Sequence, residues 1–84
     1  MPRYYFDLYN GIGFTKDEEG QAAPDEAGAR DLAIDNIRSM LSDEVRTGSL
    51  DLTGRVEIRR DTSGAVMQVR FDEAVQLRLP GGPP

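Results

Sequence analysis

The 84-residue chain predicts an α+β fold of order ββαββ: a four-stranded, mainly antiparallel sheet with one long amphipathic helix packed on one face. Three observations predict it. In RYYFDLY, residues 3–9, Tyr4, Phe6 and Leu8 alternate with Arg3, Tyr5, Asp7 and Tyr9, the period of a half-buried strand. Ala29, Ala33, Ile37, Leu41 and Val45 recur every four residues, the period of a helix with one buried stripe. Residues 55–71 alternate again in two short runs, with Val56, Ile58, Met67, Val69 and Phe71 at the apolar positions.

Each element has its own signals. Asn10-Gly11 is a hairpin signal after the first strand, and residues 12–16 are expected to pair back, Ile12 and Phe14 continuing the buried face. Residues 17–25 are turn-rich and lack periodicity, so they read as a loop. Asp25 after Pro24 suits a helix N-cap, with Glu26 in the acid-favouring first turn. The helix of about five turns is closed by Gly48 as its C′ residue. Val56 and Ile58 face inward on the third strand. Asp61, Thr62, Ser63 and Gly64 turn the chain into the fourth, where Met67, Val69 and Phe71 face inward and Val66, Gln68 and Arg70 outward. Residues 72–79 fit either one helical turn or another extended piece. Phe6, Ile37 and Phe71 should be buried together. If the helix carries a right-handed crossover between parallel strands 2 and 3, the sheet order is 2-1-3-4 and every neighbour is antiparallel.

Residues 1–79 form one domain on this reading, and 80–84, PGGPP, form a disordered tail. A chain this short buries only about 60–65% of its unfolded surface and gains from a staple or a partner. Cysteine and histidine are both absent, so disulfides, thiolate metal sites and imidazole chemistry are excluded. No catalytic, cofactor-binding or metal-ligating residue is assigned, and no cofactor is expected. The run Asp17, Glu18, Glu19 lacks the alternating spacing of a calcium loop and reads as a solvated acidic loop. No serine lies in a nucleophile-elbow context and no glycines form a phosphate loop. The expectation is therefore against an enzyme. No secretory leader or long apolar run is seen, so the expected location is cytoplasmic, with no membrane contact.

MPRYYFDLYNG, then DEEG, then PDEAGAR opening a helix, then GRVEIRRD and a turn into a short apolar strand together resemble a family of small bacterial proteins. That family is common in alphaproteobacteria and is catalogued as a domain of unknown function. The resemblance covers residues 2–71. Its most specific pieces are Pro2-Arg3-Tyr4 with Tyr5 and Phe6, the residue 17–20 loop, and Pro24-Asp25. It implies a compact α+β fold and supplies no mechanism.

The outward face of the sheet collects Arg3, Tyr5 and Tyr9 from strand 1, Arg55 and Arg59 from strand 3 and Arg70 from strand 4, with Asp7, Glu57 and Gln68 among them. Three readings compete: a solvated face of cross-strand pairs, a protein interface, in which Tyr and Arg are enriched, or a stacking platform for bases. YYFDLYN resembles the first aromatic strand of an RNA-recognition motif, but the longer companion motif is missing. A net charge of −5 repels phosphate at long range. The functional expectation is thus a small non-enzymatic interaction module, self-associating as a homodimer through this face or an edge strand, or binding another protein. The alternative is an accessory nucleic-acid-binding protein using the same Arg/Tyr face.

Overall fold

A computed structural model describes residues 1–60 and 64–81; residues 61–63, where a turn was expected, and 82–84, the end of the Pro/Gly tail, lie outside the described part. The elements are β1 (Arg3–Asn10), β2 (Gly13–Thr15), β3 (Gln21–Ala22), α1 (Glu26–Arg46), β4 (Arg55–Arg60), β5 (Ala65–Arg70) and α2 (Phe71–Ala74). The sheet runs β2-β1-β4-β5, with β3 also paired to β1, and all pairings are antiparallel. The α+β class stands, with five strands in place of four. The order along the sheet is the one the crossover argument gives, so β2 and β4 flank β1 and run parallel to each other. No described helix is long and apolar enough to cross a membrane.

The added strand, β3, is two residues long, too short to show alternation. It sits on the same edge of β1 as β2, pairing Arg3 with Ala22 and Tyr4 with Gln21, and Ala23 N donates to Pro2 O over 3.1 Å. Helix α1 starts and stops where its caps indicate. Asp25 accepts from Gly28 N at 2.8 Å, and Thr47 is the C-cap, followed by Gly48 at φ 88°, a left-handed C′ residue that satisfies the last carbonyls.

Ala29, Ala33, Ile37 and Leu41 are buried against Tyr4, Val56, Ile58, Val69 and Phe71. Two alanines at the start of the stripe let α1 lie close to the sheet. Val45, expected to complete the stripe, is 54% exposed. A four-residue repeat advances about 400° around a helix of 3.6 residues per turn, so over the sixteen residues from 29 to 45 the row swings about 160° away from its starting side.

The first hairpin differs from expectation. Asn10 pairs with Gly13, Tyr9 with Phe14 and Leu8 with Thr15, while Asn10 Oδ1 accepts from the backbone N of Ile12 (2.9 Å) and Gly13 (3.1 Å). The loop is therefore Gly11-Ile12, with Asn10 holding it as an Asx turn. Directly opposite residues share a face, and a two-residue loop pairs odd positions with even ones. Phe14 thus joins Tyr9 on the face away from α1, and Ile12 occupies the loop with 96% exposure. Neither continues the buried face.

Phe6 is also less buried than expected. It packs against the core cluster from outside, because α1 leaves the edge of β1 uncovered: Phe6 and Leu8 floor an open groove there, with Asn36 of α1 on its rim. The largest fully buried side chain on β1 is Tyr4. Residues 72–79 begin with the helical alternative. Phe71–Ala74 makes a helical turn, and Val75 follows with φ −135° and ψ 152°, extended.

Candidate functional site

The open face is built from the odd residues of β1 and their partners. Tyr5 lies opposite Arg59, Asp7 opposite Glu57 and Tyr9 opposite Arg55; Arg55 lies opposite Arg70 and Glu57 opposite Gln68. Like charges thus face each other twice, Asp7 with Glu57 and Arg55 with Arg70. Diagonal and local pairing resolves both. Arg59 reaches Asp7, with Nε to Oδ2 at 2.5 Å and Nη2 to Oδ1 at 3.1 Å. Arg55 Nε meets Glu57 Oε2 at 2.9 Å, and Arg70 Nε meets Asp72 Oδ1 at 2.9 Å.

Each aromatic is roofed by one of these arginines. The Arg59 guanidinium lies 5.0 Å from the Tyr5 ring centroid and that of Arg55 4.1 Å from Tyr9, both cation–π distances. Phe14 stacks beside Tyr9, with centroids 4.6 Å apart. Arg3 is spent on the loop, donating to Glu19 O at 2.7 Å. All six residues picked out from the sequence therefore lie on one sheet face or its rim. Arg55, Arg59 and Arg70 are engaged with carboxylates of their own chain, and Arg3 with a carbonyl.

Asp7, which sequence reasoning placed on this face without a role, is its centre. It is 5% exposed, the buried charged residue of the described core. The bidentate Arg59 guanidinium holds its carboxyl below the usual carboxylate range, outweighing the burial that would raise it, and a hydrogen bond from Asp17 N at 3.0 Å assists. Arg59 also donates to Asp17 O at 3.1 Å, so the pair clamps the acidic loop.

That loop is a structural plug. Between the stretches of β1 paired with β3 and with β2, the backbone N of Phe6 donates to Asp17 Oδ2 at 3.0 Å. Asp17 Oδ1 accepts from the backbone N of Glu19 and of Gly20, both at 3.1 Å. One carboxylate thereby satisfies three backbone donors where strand pairing is interrupted. No group of three acidic, histidine or cysteine residues is placed to hold a metal ion among the described residues. An Asp opening a short loop after a strand, with glycine three residues later, is the signal that would have identified an Asx-type cap. Gly20 has φ 70°, and a Cβ there would lie 2.8 Å from Tyr4 O. Gly20→Ala is therefore expected to cost about 2 kcal/mol, read as a lower urea midpoint; an unchanged midpoint would show that the loop adjusts freely.

The two edges of the sheet differ. One consists of the three-residue β2 and the two-residue β3, with the loop pinned by Asp17 between them. The other is β5, with no strand beyond it among the described residues. A bulge interrupts its pairing with β4 between Ile58 and Arg59, leaving Val66 39% exposed, and a shallow groove of about 280 Å³ follows it, lined by Glu57, Ala65, Val66, Met67 and Gln68.

The fold and its face define a small α+β domain with an open antiparallel sheet and one long helix. Residues 3–72 match the family model described as a domain of unknown function, DUF6894, and the chain belongs to that family. No curated protein and no solved structure matches it.

Proposed function

We propose that this protein is a non-enzymatic interaction module that associates with a second copy of itself along the free edge of its sheet. The observation that carries the proposal is the contrast between the edges. Asp17 satisfies a backbone donor of β1 on one side, whereas β5 presents a six-residue outer edge with no proline or lysine in AVMQVR. Such an edge is a template for strand addition. A two-fold axis beside β5 would join two sheets into one, each copy supplying the partner that a short, cysteine-free domain lacks.

The internal pairing of Arg55, Arg59 and Arg70 weakens the nucleic-acid alternative, since arginines already bound to carboxylates release few counterions on meeting phosphate. It also moves the candidate contact from the middle of the face to its β5 side. With Arg59 bound to buried Asp7, a substitution at Arg59 reports on stability before it reports on association.

Light scattering across the micromolar range tests the proposal. The native chain should give twice the monomer mass at high micromolar concentration. Val66→Lys with Gln68→Lys, two edge charges on exposed positions, should weaken the dimer at least tenfold without altering the circular dichroism spectrum. A native chain that stays monomeric at several hundred micromolar would overturn it, and a salt-dependent shift of labelled single-stranded RNA would then favour the alternative.

A further inference from the structure

The segment after α2 is also an unpaired half of something. Residues 75–79, VQLRL, alternate apolar and polar as a strand does, and Val75 is already extended. Val75 packs on the core, but Leu77 is 55% exposed and Leu79 69%. No described strand pairs with them. In an extended segment two leucines spaced two apart fall on one side and form an apolar strip.

Its phase matches the free edge. On β5, Met67 and Val69 lie on the helix side of the sheet, opposite Ile58 and Val56, and Gln68 lies on the open side, opposite Glu57. An extended segment added beside β5 with Leu77 and Leu79 on the helix side prolongs the apolar layer at Met67. It also sets Gln76 and Arg78 on the open side near Gln68 and Glu57. Charge agrees with pattern. Residues 75–84 contain Arg78 and no acidic residue, while the chain as a whole is at −5, and Arg78 makes no ion pair among the described residues.

The base of the arm is held on the helix layer. Arg38 Nε donates to Ala74 O at 2.6 Å and Arg30 Nη2 meets Glu73 Oε2 at 3.2 Å, so α2 is tied down onto α1. The arm therefore leaves from a turn fixed to α1, and among the described residues it does not pair with the chain's own β5. A second copy related by a two-fold axis near β5 brings its edge alongside.

We infer that residues 75–79 of one copy add as a strand to the β5 edge of a second copy, and that the exchange is reciprocal. The inference rests on the self-association proposed above and names the segment that makes it. Main-chain hydrogen bonds along β5 supply the attachment, and Leu77 and Leu79 set the register.

The absence of cysteine allows a direct test. Chains carrying Gln76→Cys and Gln68→Cys are mixed and mildly oxidised, with each variant alone as a control, and dimer mass is followed in parallel by light scattering. The expected result is a mixed disulfide dimer between the two variants that falls at least tenfold when Leu77 and Leu79 are both changed to Asp, a change that also turns the dimer into monomer. A persistent dimer that gives no mixed disulfide and ignores the Asp changes overturns the arm exchange and leaves edge association standing. A monomeric native chain overturns both. A disulfide within one chain of the doubly substituted Gln68→Cys, Gln76→Cys protein at high dilution would show the arm returning to its own edge, which overturns exchange between copies.

Discussion

Truncating Tyr4 to alanine is expected to cost about 3–5 kcal/mol, the range for emptying a large aromatic site in a packed interior. Tyr4 is 1% exposed and is the largest side chain enclosed by the described core. It stands with Ile37 of α1 and Ile58 of β4 in the same cluster. A domain of this length has roughly 4–12 kcal/mol in total, at about 0.05–0.15 kcal/mol per residue. The loss would leave a substantial unfolded population. Phe6→Ala should cost less, about 1–2 kcal/mol, because its ring borders the open groove and gives up only part of the transfer free energy of a buried aromatic. Urea unfolding of the two variants decides the matter. A larger midpoint loss for Phe6 than for Tyr4 would mean that the groove is closed in solution and that the core centre has been misplaced.

The contrast between these neighbours shows where sequence reading stops. Alternation puts Tyr4, Phe6 and Leu8 on one face, and the structure agrees. Which of them is covered depends on where α1 crosses the sheet, and α1 packs on β4 and β5, far along the chain. The helix itself was legible to within a residue, because Asp25 and Gly48 mark its ends through local hydrogen bonding. The position of Phe14 was also within reach. Pairing parity in a two-residue hairpin dictates it, and only the habit of extending an apolar pattern hid it.

The face was legible as a set and illegible as a network. Arg3, Tyr5, Tyr9, Arg55, Arg59 and Arg70 follow from period two, but nothing within six residues of Asp7 signals that it is enclosed. Its partners come from Asp17, ten residues on, and Arg59, fifty-two residues on. Long-range closure of that kind appears only once the strands are in register. β3 escaped notice for a simpler reason, since two residues cannot display a period.

The same network sets the second large effect. Arg59→Met keeps much of the aliphatic stem over Tyr5 and removes the guanidinium, leaving Asp7 enclosed with only the backbone donor of Asp17. Breaking a fully buried pair costs about 3–5 kcal/mol. The Arg59 side chain is 22% exposed against 8% for Asp7, so partial solvent screening lowers the expectation to about 2–3 kcal/mol at pH 7. The pH dependence separates charge from packing. Asp7 has a depressed pKa in the folded protein, caused first by the Arg59 hydrogen bond. A depressed carboxyl contributes stability that is present above its unfolded value of about 3.9 and is lost as pH falls through the folded value. The native chain should therefore lose this contribution only below about pH 4. In Arg59→Met the depression is gone, so the stability gap between native and variant should be widest near pH 7 and narrow steadily below pH 4. Urea midpoints measured at pH 7, 5, 4 and 3 give that gap. A gap that stays constant across the series would mean that Arg59 acts through its packing on Tyr5 alone, and the clamp that holds the residue 17–20 loop against β1 would have to be assigned to Asp17 by itself.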